Sequence, residues 1–303
     1  MHTNYQNILL CALEDCESLS IFLSQLRISK NKQKLFIKNK KYLRKKIIKK
    51  DVLEIPIDLL NINMVWPKYT GDKVIKIVDN HLFLALSKPA RVHSLPLRYN
   101  ESNNLISFVR EQEKSAEVFS INKDTYEKGL LYRLDYETSG LILLARNKLF
   151  YEAFRTSLEK KKFYLAVVEG EIENDFSYAH HIGYSGEKGA VGRVSNEALK
   201  NSHLEGKKII YDKEKNLSLV VIKLIEGKRH QIRIQLSHEG HPIVGDPIYG
   251  NHGAKRMYLH SFCYQFLYLN KEYKIVDNNF HGLEIIFNTN RVFQMADEAI
   301  LSF

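Results

Sequence analysis

Two apolar runs hold one polar loop near the middle of this 303-residue chain. Leu130-Leu131 leads into Tyr132-Arg133-Leu134-Asp135-Tyr136-Glu137-Thr138-Ser139-Gly140, and Leu141-Ile142-Leu143-Leu144-Ala145 leads out. Short apolar runs with such borders read as buried strands, so the polar residues are expected in a loop at the mouth of a sheet. If the entry segment is extended, Leu131, Arg133 and Asp135 share one side and Tyr132 and Leu134 the other. A guanidinium then lies beside a carboxylate. Thr138-Ser139-Gly140 can turn the chain sharply, with Gly140 free to take a positive φ. An Arg–Asp ion pair in an ordinary turn satisfies the same pattern, so the loop alone does not assign a function.

Composition narrows the classes. Hydrophobic residues make up 44% of the chain, as in a folded globular protein. No apolar run approaches a membrane span, and Ile8-Leu9-Leu10-Cys11-Ala12-Leu13 is too short and too poorly flanked for a signal peptide. The three cysteines, Cys11, Cys16 and Cys263, form no CxxC, so neither a zinc knuckle nor a disulfide framework is indicated. A cytoplasmic location is the simplest expectation. A formal net charge of +10 implies a polyanionic partner, nucleic acid before a membrane surface.

Residues 1–60 read as a first unit. Leu19, Phe22, Leu23 and Leu26 form one face of a helix from Ser18 to Arg27. Ser29 can cap a second helix, with Leu35 and Phe36 expected to pack inward. Lys38, Lys40, Lys41, Arg44, Lys45, Lys46, Lys49 and Lys50 follow, and Asp51 to Ile55 closes as a strand. A solvated basic surface or a disordered arm fits the same charges. Residues 61–72 read as a linker, with Pro67 and Gly71 as breakers and Trp66 as an anchor.

A second unit, residues 73–303, opens with a hairpin, Val74 to Val78 and His81 to Leu86, ending in Ser87-Lys88-Pro89-Ala90. Leu105 to Glu113 reads as a helix and Ser115 to Lys128 as a loop. Asn147 can cap a helix to Lys160 with Phe150, Phe154 and Leu158 in register. Phe163 to Gly170 reads as a strand. Gly183, Gly186, Gly189 and Gly192 suggest a mobile loop that, with Lys188 and Arg193, could touch RNA. Lys207 to Asp212 and Leu217 to Ile225 form a hairpin. Glu226 to Leu236 opens as a helix with a Gly240 cap. His238-Glu239-Gly240-His241 has the wrong spacing for a helical zinc pair, and Gly240 and Pro242 break the helix, so no metal is expected. No phosphate-binding loop or dinucleotide motif is present, and no cofactor is expected.

Taken in order, Lys88-Pro89-Ala90 with Val92-His93, Arg133-Leu134-Asp135-x-x-Thr138-Ser139-Gly140-Leu141, Lys162-x-Tyr164, His230-Gln231-Ile232-Arg233 and His241-Pro242-Ile243-x-Gly245-Asp246-x-x-Tyr249-Gly250 resemble the RluA-type pseudouridine synthases. Residues 1–60 resemble the small alpha-L RNA-binding motif that often precedes that catalytic domain. Departures are Tyr132 and Tyr136 around the central motif, Lys228-Arg229 before His230, and Lys50 where the motif usually has Gly. The resemblance implies an α/β (α+β) fold with a mixed, mainly antiparallel sheet, flanking helices and loops, and a small N-terminal domain.

The implied activity is isomerisation of uridine to pseudouridine in RNA, without a cofactor, by a cytoplasmic monomer. Asp135 is implied as the catalytic carboxylate, Arg233 as its cationic partner and Tyr164 as the residue that stacks on the uracil. Arg133 would fill the gap left by a flipped uridine. RNA contacts are expected from Lys38, Lys41, Arg44, Lys45, Lys46, Lys88 and His230. Large-subunit ribosomal RNA is the expected target, with tRNA as the alternative. Two rival classes are a non-catalytic RNA-binding protein of this fold and a hydrolase that would release free uracil.

Overall fold

The structure is a computed structural model that describes all residues except 1–6, 13, 26–27, 57–58, 60–67, 98–100, 113–114, 123–126, 157–158, 174, 186–190, 196–201, 252 and 288–290. The proposed anchor Trp66, the breaker Pro67, Leu26, Arg27, Leu158, Gly186, Lys188 and Gly189 therefore lie outside the described residues. The chain forms two compact units, Met1–Gly71 with Leu95–Lys128, and Asp72–Ser94 with Gly129–Phe303. A single cut near residue 72 was expected from the linker; the first unit also takes up Leu95–Lys128.

In the first unit, β1 (Asn7–Cys11) pairs antiparallel with β2 (Val52–Pro56) around α1 (Leu19–Gln25), α2 (Lys30–Phe36) and α3 (Lys40–Leu43). Leu19, Leu23, Ile28, Leu43, Ile47, Leu53, Ile55 and Leu59 form its core. The Ser29 hydroxyl accepts from Lys32 N and caps α2 as expected. Among the described side chains of α2 the inward one is not Leu35, which is 71% exposed, but Gln33, which is 1% exposed; the side chain of Phe36, also expected inward, lies outside the description. The Gln33 amide donates to Ser20 O, Ser24 Oγ and Ile28 O and its oxygen accepts from Ser20 Oγ, so a polar side chain cross-links two short helices. Lys38, Lys40, Lys41, Arg44, Lys45, Lys46 and Lys49 are exposed, and Leu43 and Ile47 between them reach the core. Lys50 turns the chain into β2 with φ 77°, a conformation that favours glycine.

Later in the chain, α4 (Leu105–Arg110) is capped by Asn104 and followed by α5 (Ser115–Phe119). The expected loop from Ser115 is thus partly helical, because Val118 has a buried position to fill.

The second unit is built on one sheet. Its strands are β3 (Ile75–Asp79), β4 (Phe83–Lys88), β5 (Ser139–Ala145), β6 (Lys160–Glu169), β7 (Phe176–Ser185), β8 (Val191–Ser195), β9 (Ser202–Asp212), β10 (Leu217–Leu224), β11 (Leu259–Tyr268) and β12 (Lys271–Val276). They lie in the order β3-β4-β5-β11-β6-β10-β9-β7-β8, with β12 on β11. Every pairing is antiparallel except β5 with β11, which is parallel over two residue pairs, Ser139–His260 and Gly140–Ser261. The helices are α6 (Lys148–Thr156), α7 (Gln231–His238), α8 (Leu283–Phe287) and α9 (Val292–Ile300).

The main core lies where Phe163, Leu165, Val167, Leu219, Val221 and Phe262 face Leu283, Phe287, Val292, Ala296 and Ile300. This mixed α+β architecture with a mainly antiparallel sheet is the one expected. Leu130-Leu131 departs from expectation: it forms only an isolated bridge, Leu130 to Leu144, not a strand. Gly183 and Gly192 are not in a loop but in the paired strands β7 and β8. Among the described residues no helix is long and apolar enough to cross a membrane.

Candidate active site

Asp135 ends the segment that enters β5. Its main-chain oxygen accepts from Thr138 N at 3.2 Å, closing the turn. Gly140 has φ 111°, and a Cβ there would run into the Ser261 main chain of β11. The glycine is therefore required by the close approach of the two parallel strands. On the preceding strand, Lys88 is fully buried and donates to the carbonyls of Val92 at 2.8 Å, Pro89 at 2.9 Å and Tyr136 at 3.4 Å. The expectation that Lys88 contacts RNA is corrected on this ground. A side chain with no accessible surface cannot reach a phosphate, and its role here is to tie the Asp135 loop to the end of β4. Burial lowers the Lys88 ammonium to about 7, against the pull of Asp135. Ser94 adds a second tie, accepting from Leu134 N at 3.0 Å and donating to Leu134 O at 2.7 Å.

Arg233 comes from α7 and is 2% exposed. Its Nη1 lies 3.4 Å from Asp135 Oδ2, while Nε and Nη2 donate to Asp246 at 2.7 Å each. The tighter partner is thus Asp246, a fully buried carboxylate that sequence reading placed in a motif without assigning it to the site. The signal was present, since a buried arginine needs a planar acceptor for its fork. Burial opposes the charge of both groups, but their mutual hydrogen bonds win, raising Arg233 and lowering Asp246. Asp246 Oδ1 also accepts from Ile248 N and Tyr249 N.

His230 begins α7 in a left-handed conformation, φ 55°, with no side-chain cap. The helix was expected from Glu226, but it starts only after His230. This backbone bend aims the imidazole at the site: Nε2 is 3.7 Å from Asp135 Oδ2 and Nδ1 is 3.0 Å from the Tyr249 hydroxyl. Burial lowers the His230 pKa, against the pull of Asp135, which favours the neutral ring.

Tyr164 on β6 is 7% exposed. Burial pushes its hydroxyl up to about 12, with the Asp135 charge adding to the rise and the Tyr264 and Ser261 side chains opposing it. Asp135, with 30% of its side chain exposed, is the accessible member of the group. The structure therefore brings Asp135, Arg233, His230 and, electrostatically, Tyr164 together. Arg133 is exposed and makes no side-chain hydrogen bond or ion pair with the described residues. Lys38, Lys41, Arg44, Lys45 and Lys46 belong to the first unit.

His238 and Glu239 meet His180 of β7 rather than His241, with ligand atoms within 4.8 Å of one another. The Gln235 amide nitrogen, which also donates to the Tyr178 and Ser202 carbonyls, faces His180 Nδ1 at 3.0 Å. That nitrogen must accept, so Nε2–H donates to Glu239 at 2.9 Å. His180 and Glu239 thus form a hydrogen-bonded pair. His241 bonds instead to Glu169 O.

A sequence profile described as RNA pseudouridylate synthase matches residues 82–238. The chain is 30% identical over 228 residues to the uncharacterized RNA pseudouridine synthase YhcT of Bacillus subtilis, covering 74% of this chain and 72% of that protein. It is 24% identical to ribosomal large subunit pseudouridine synthase D of Borreliella burgdorferi, covering 84% and 79%. Human RNA pseudouridylate synthase domain containing 1 has the same fold, with a TM-score of 0.55 and 22% identity over 68% of this chain and 84% of that one.

Proposed function

Since the chain belongs to the RNA pseudouridylate synthase family, and is therefore an isomerase acting on RNA, we propose that Asp135 is the carboxylate that carries its reaction. The observation that carries this reading is one accessible carboxylate set against a buried guanidinium that a second carboxylate fixes from behind. Converting uridine to pseudouridine breaks the bond from N1 to the sugar, turns the uracil and rejoins it through carbon 5. An ionised Asp135 either attacks the sugar or removes a sugar proton. Arg233 Nη1, 3.4 Å away, orients that carboxylate. The Tyr164 hydroxyl, held protonated by burial, serves through its ring face and as a hydrogen-bond relay, not as a phenolate base. Exposed Arg133 takes the place of the flipped uridine.

The target proposed is large-subunit ribosomal RNA in the cytoplasm, supported by similarity to enzymes named for that subunit; tRNA is the alternative. The N-terminal basic segment, Lys38 to Lys46, is proposed to supply RNA affinity and target choice, since its cations are exposed and lie outside every site residue above.

Mapping pseudouridines in total RNA with and without the gene identifies the site. Asp135→Asn should abolish tritium release from RNA labelled at uracil carbon 5, with affinity changed less than about threefold. Normal release by that variant sinks the assignment, and release of free uracil would favour a hydrolase. Charge-neutral replacement of Lys41, Lys45 and Lys46 should flatten the salt dependence of RNA binding; an unchanged slope rejects the role of the basic segment.

A further inference from the structure

Three cations crowd one tyrosine ring beside the Asp135 loop. Lys162 Nζ lies 4.4 Å from the Tyr132 ring centroid, Arg155 5.5 Å and Lys160 5.6 Å. Two of these groups are partly engaged by main-chain oxygens: Lys160 donates to Phe154 O and Arg155 O, and Arg155 to Leu131 O. Lys162 has a single longer bond, 3.3 Å to Glu226 O. None of the three has a carboxylate within ion-pair distance among the described residues. The nearby Glu226 carboxylate is committed to His203, whose main-chain N and ring it binds.

Lys162 is the telling member. It is 5% exposed and sits among like charges. Burial, then Lys160, lowers its pKa to about 8. Such a cation costs folding free energy unless an anion joins it. The cluster also lies close to the reacting group. Tyr132 is three residues from Asp135, roughly 10 Å of extended chain, and its hydroxyl and the Asp135 charge both act on Tyr164.

We propose that Arg155, Lys160 and Lys162, arrayed around Tyr132, form a subsite for one backbone phosphate of the RNA strand next to the target uridine. The proposal rests on the reading of Asp135 as the isomerising carboxylate. A phosphodiester fits because it brings the missing negative charge and several acceptor oxygens, while ring and cations keep the geometry. Anchoring the strand there, a short reach from Asp135, orients the nucleotide without touching its base.

The probe is total RNA labelled at uracil carbon 5, isolated from cells lacking the gene, so that it holds the unmodified target whatever that is. Full-length protein is compared with Arg155→Gln, Lys162→Gln, the double variant and Lys162→Arg. Lys160 is left alone because it holds the end of α6. Tritium release is followed across a salt series, filter binding in parallel, and Tm for each variant. The expected result for Lys162→Gln is a KM about tenfold higher with kcat within about twofold, and a Tm equal to or above the parent, since a buried cation is removed.

The double variant should flatten the log–log salt slope of binding by roughly 0.7, the value for one phosphate on a single strand, not by twice that. Lys162→Arg should restore most of the KM. A slope and KM unchanged in the double variant overturn the proposal, as does a loss of activity that tracks a lowered Tm, which would make the cluster a brace for α6. If the parent releases no tritium, the Asp135 reading fails, while the binding slopes still judge the subsite.

Discussion

Arg233 is shared by two carboxylates and does not serve them equally. Asp246 takes the fork at 2.7 Å on both bonds and leaves Asp135 a single nitrogen at 3.4 Å. Asp246 thus keeps the guanidinium from closing on Asp135, which stays accessible. Asp246→Asn frees Arg233 to do so. The expected outcome is kcat for tritium release at least about tenfold lower with RNA affinity nearly unchanged, and a stability loss of about 3–5 kcal/mol from breaking a buried pair. Steady-state kinetics and urea unfolding check both. A second residue-scale outcome concerns pH. Lys88 is lowered from 10.5 to about 7 and Lys162 from 10.5 to about 8, so above those values the unfolded chain binds more protons than the folded one. Stability then rises with pH from about 7 toward 9, by a few kcal/mol at most. Cys263 and Tyr164, both raised to about 12, reverse the sign above their ordinary values of 9.0 and 10.0, because there the folded chain holds the extra proton. Unfolding by urea at stepped pH should give a maximum near pH 10, where the tyrosine joins the cysteine and together they outweigh the two lysines; Lys88→Met should reduce the rise below it.

At the scale of elements, what local pattern could specify was legible. Ser29 and Asn147 each accept a main-chain N–H at the start of the helix expected from them, and Asn104 does the same for α4, where no cap was expected. The apolar exit run became β5 and the glycine before it took the positive φ. What escaped depends on partners distant in sequence. Gln33 reads as a surface residue until Ser20, Ser24 and Ile28 come round to meet it, and Leu35, hydrophobic and well placed on paper, is left outside. Lys88 reads as a strand-end cation until Val92 and Tyr136 enclose it. Asp246 needed Arg233, thirteen residues earlier and on another element, to show its purpose. β12, α8 and α9 carried no motif: β12 pairs with β11, its Lys274 meets Asp297 of α9, and α8 and α9 pack on the main core. Lys50 shows the reverse case, where a missing residue was informative. The alpha-L motif expected from the resemblance usually has Gly there, and this chain makes a left-handed turn, φ 77°, with a lysine. Lys50→Gly should stabilise the first unit by about 0.5–1 kcal/mol net of the added backbone freedom, measured as a higher urea midpoint. A lower midpoint would mean the side chain contributes more than the strain costs.

Across the whole sheet, the site draws on two wings. Asp135 and Lys88 belong with β3, β4 and β5; Tyr164, Arg233 and Asp246 belong with the strands and helix beyond β11. The wings are stitched by the Ser139–His260 and Gly140–Ser261 pairs, and the Ser139 hydroxyl joins His260 at 2.9 Å and Arg256 at 2.6 Å. All other neighbours in the order share longer antiparallel ladders. Warmth works first on the shortest stitch. The enzyme should therefore fall silent before it falls apart. Turnover measured along a temperature ramp should fade several degrees below the loss of far-ultraviolet circular dichroism, and return on cooling, as a latch springs open and shuts while the door still hangs on its frame.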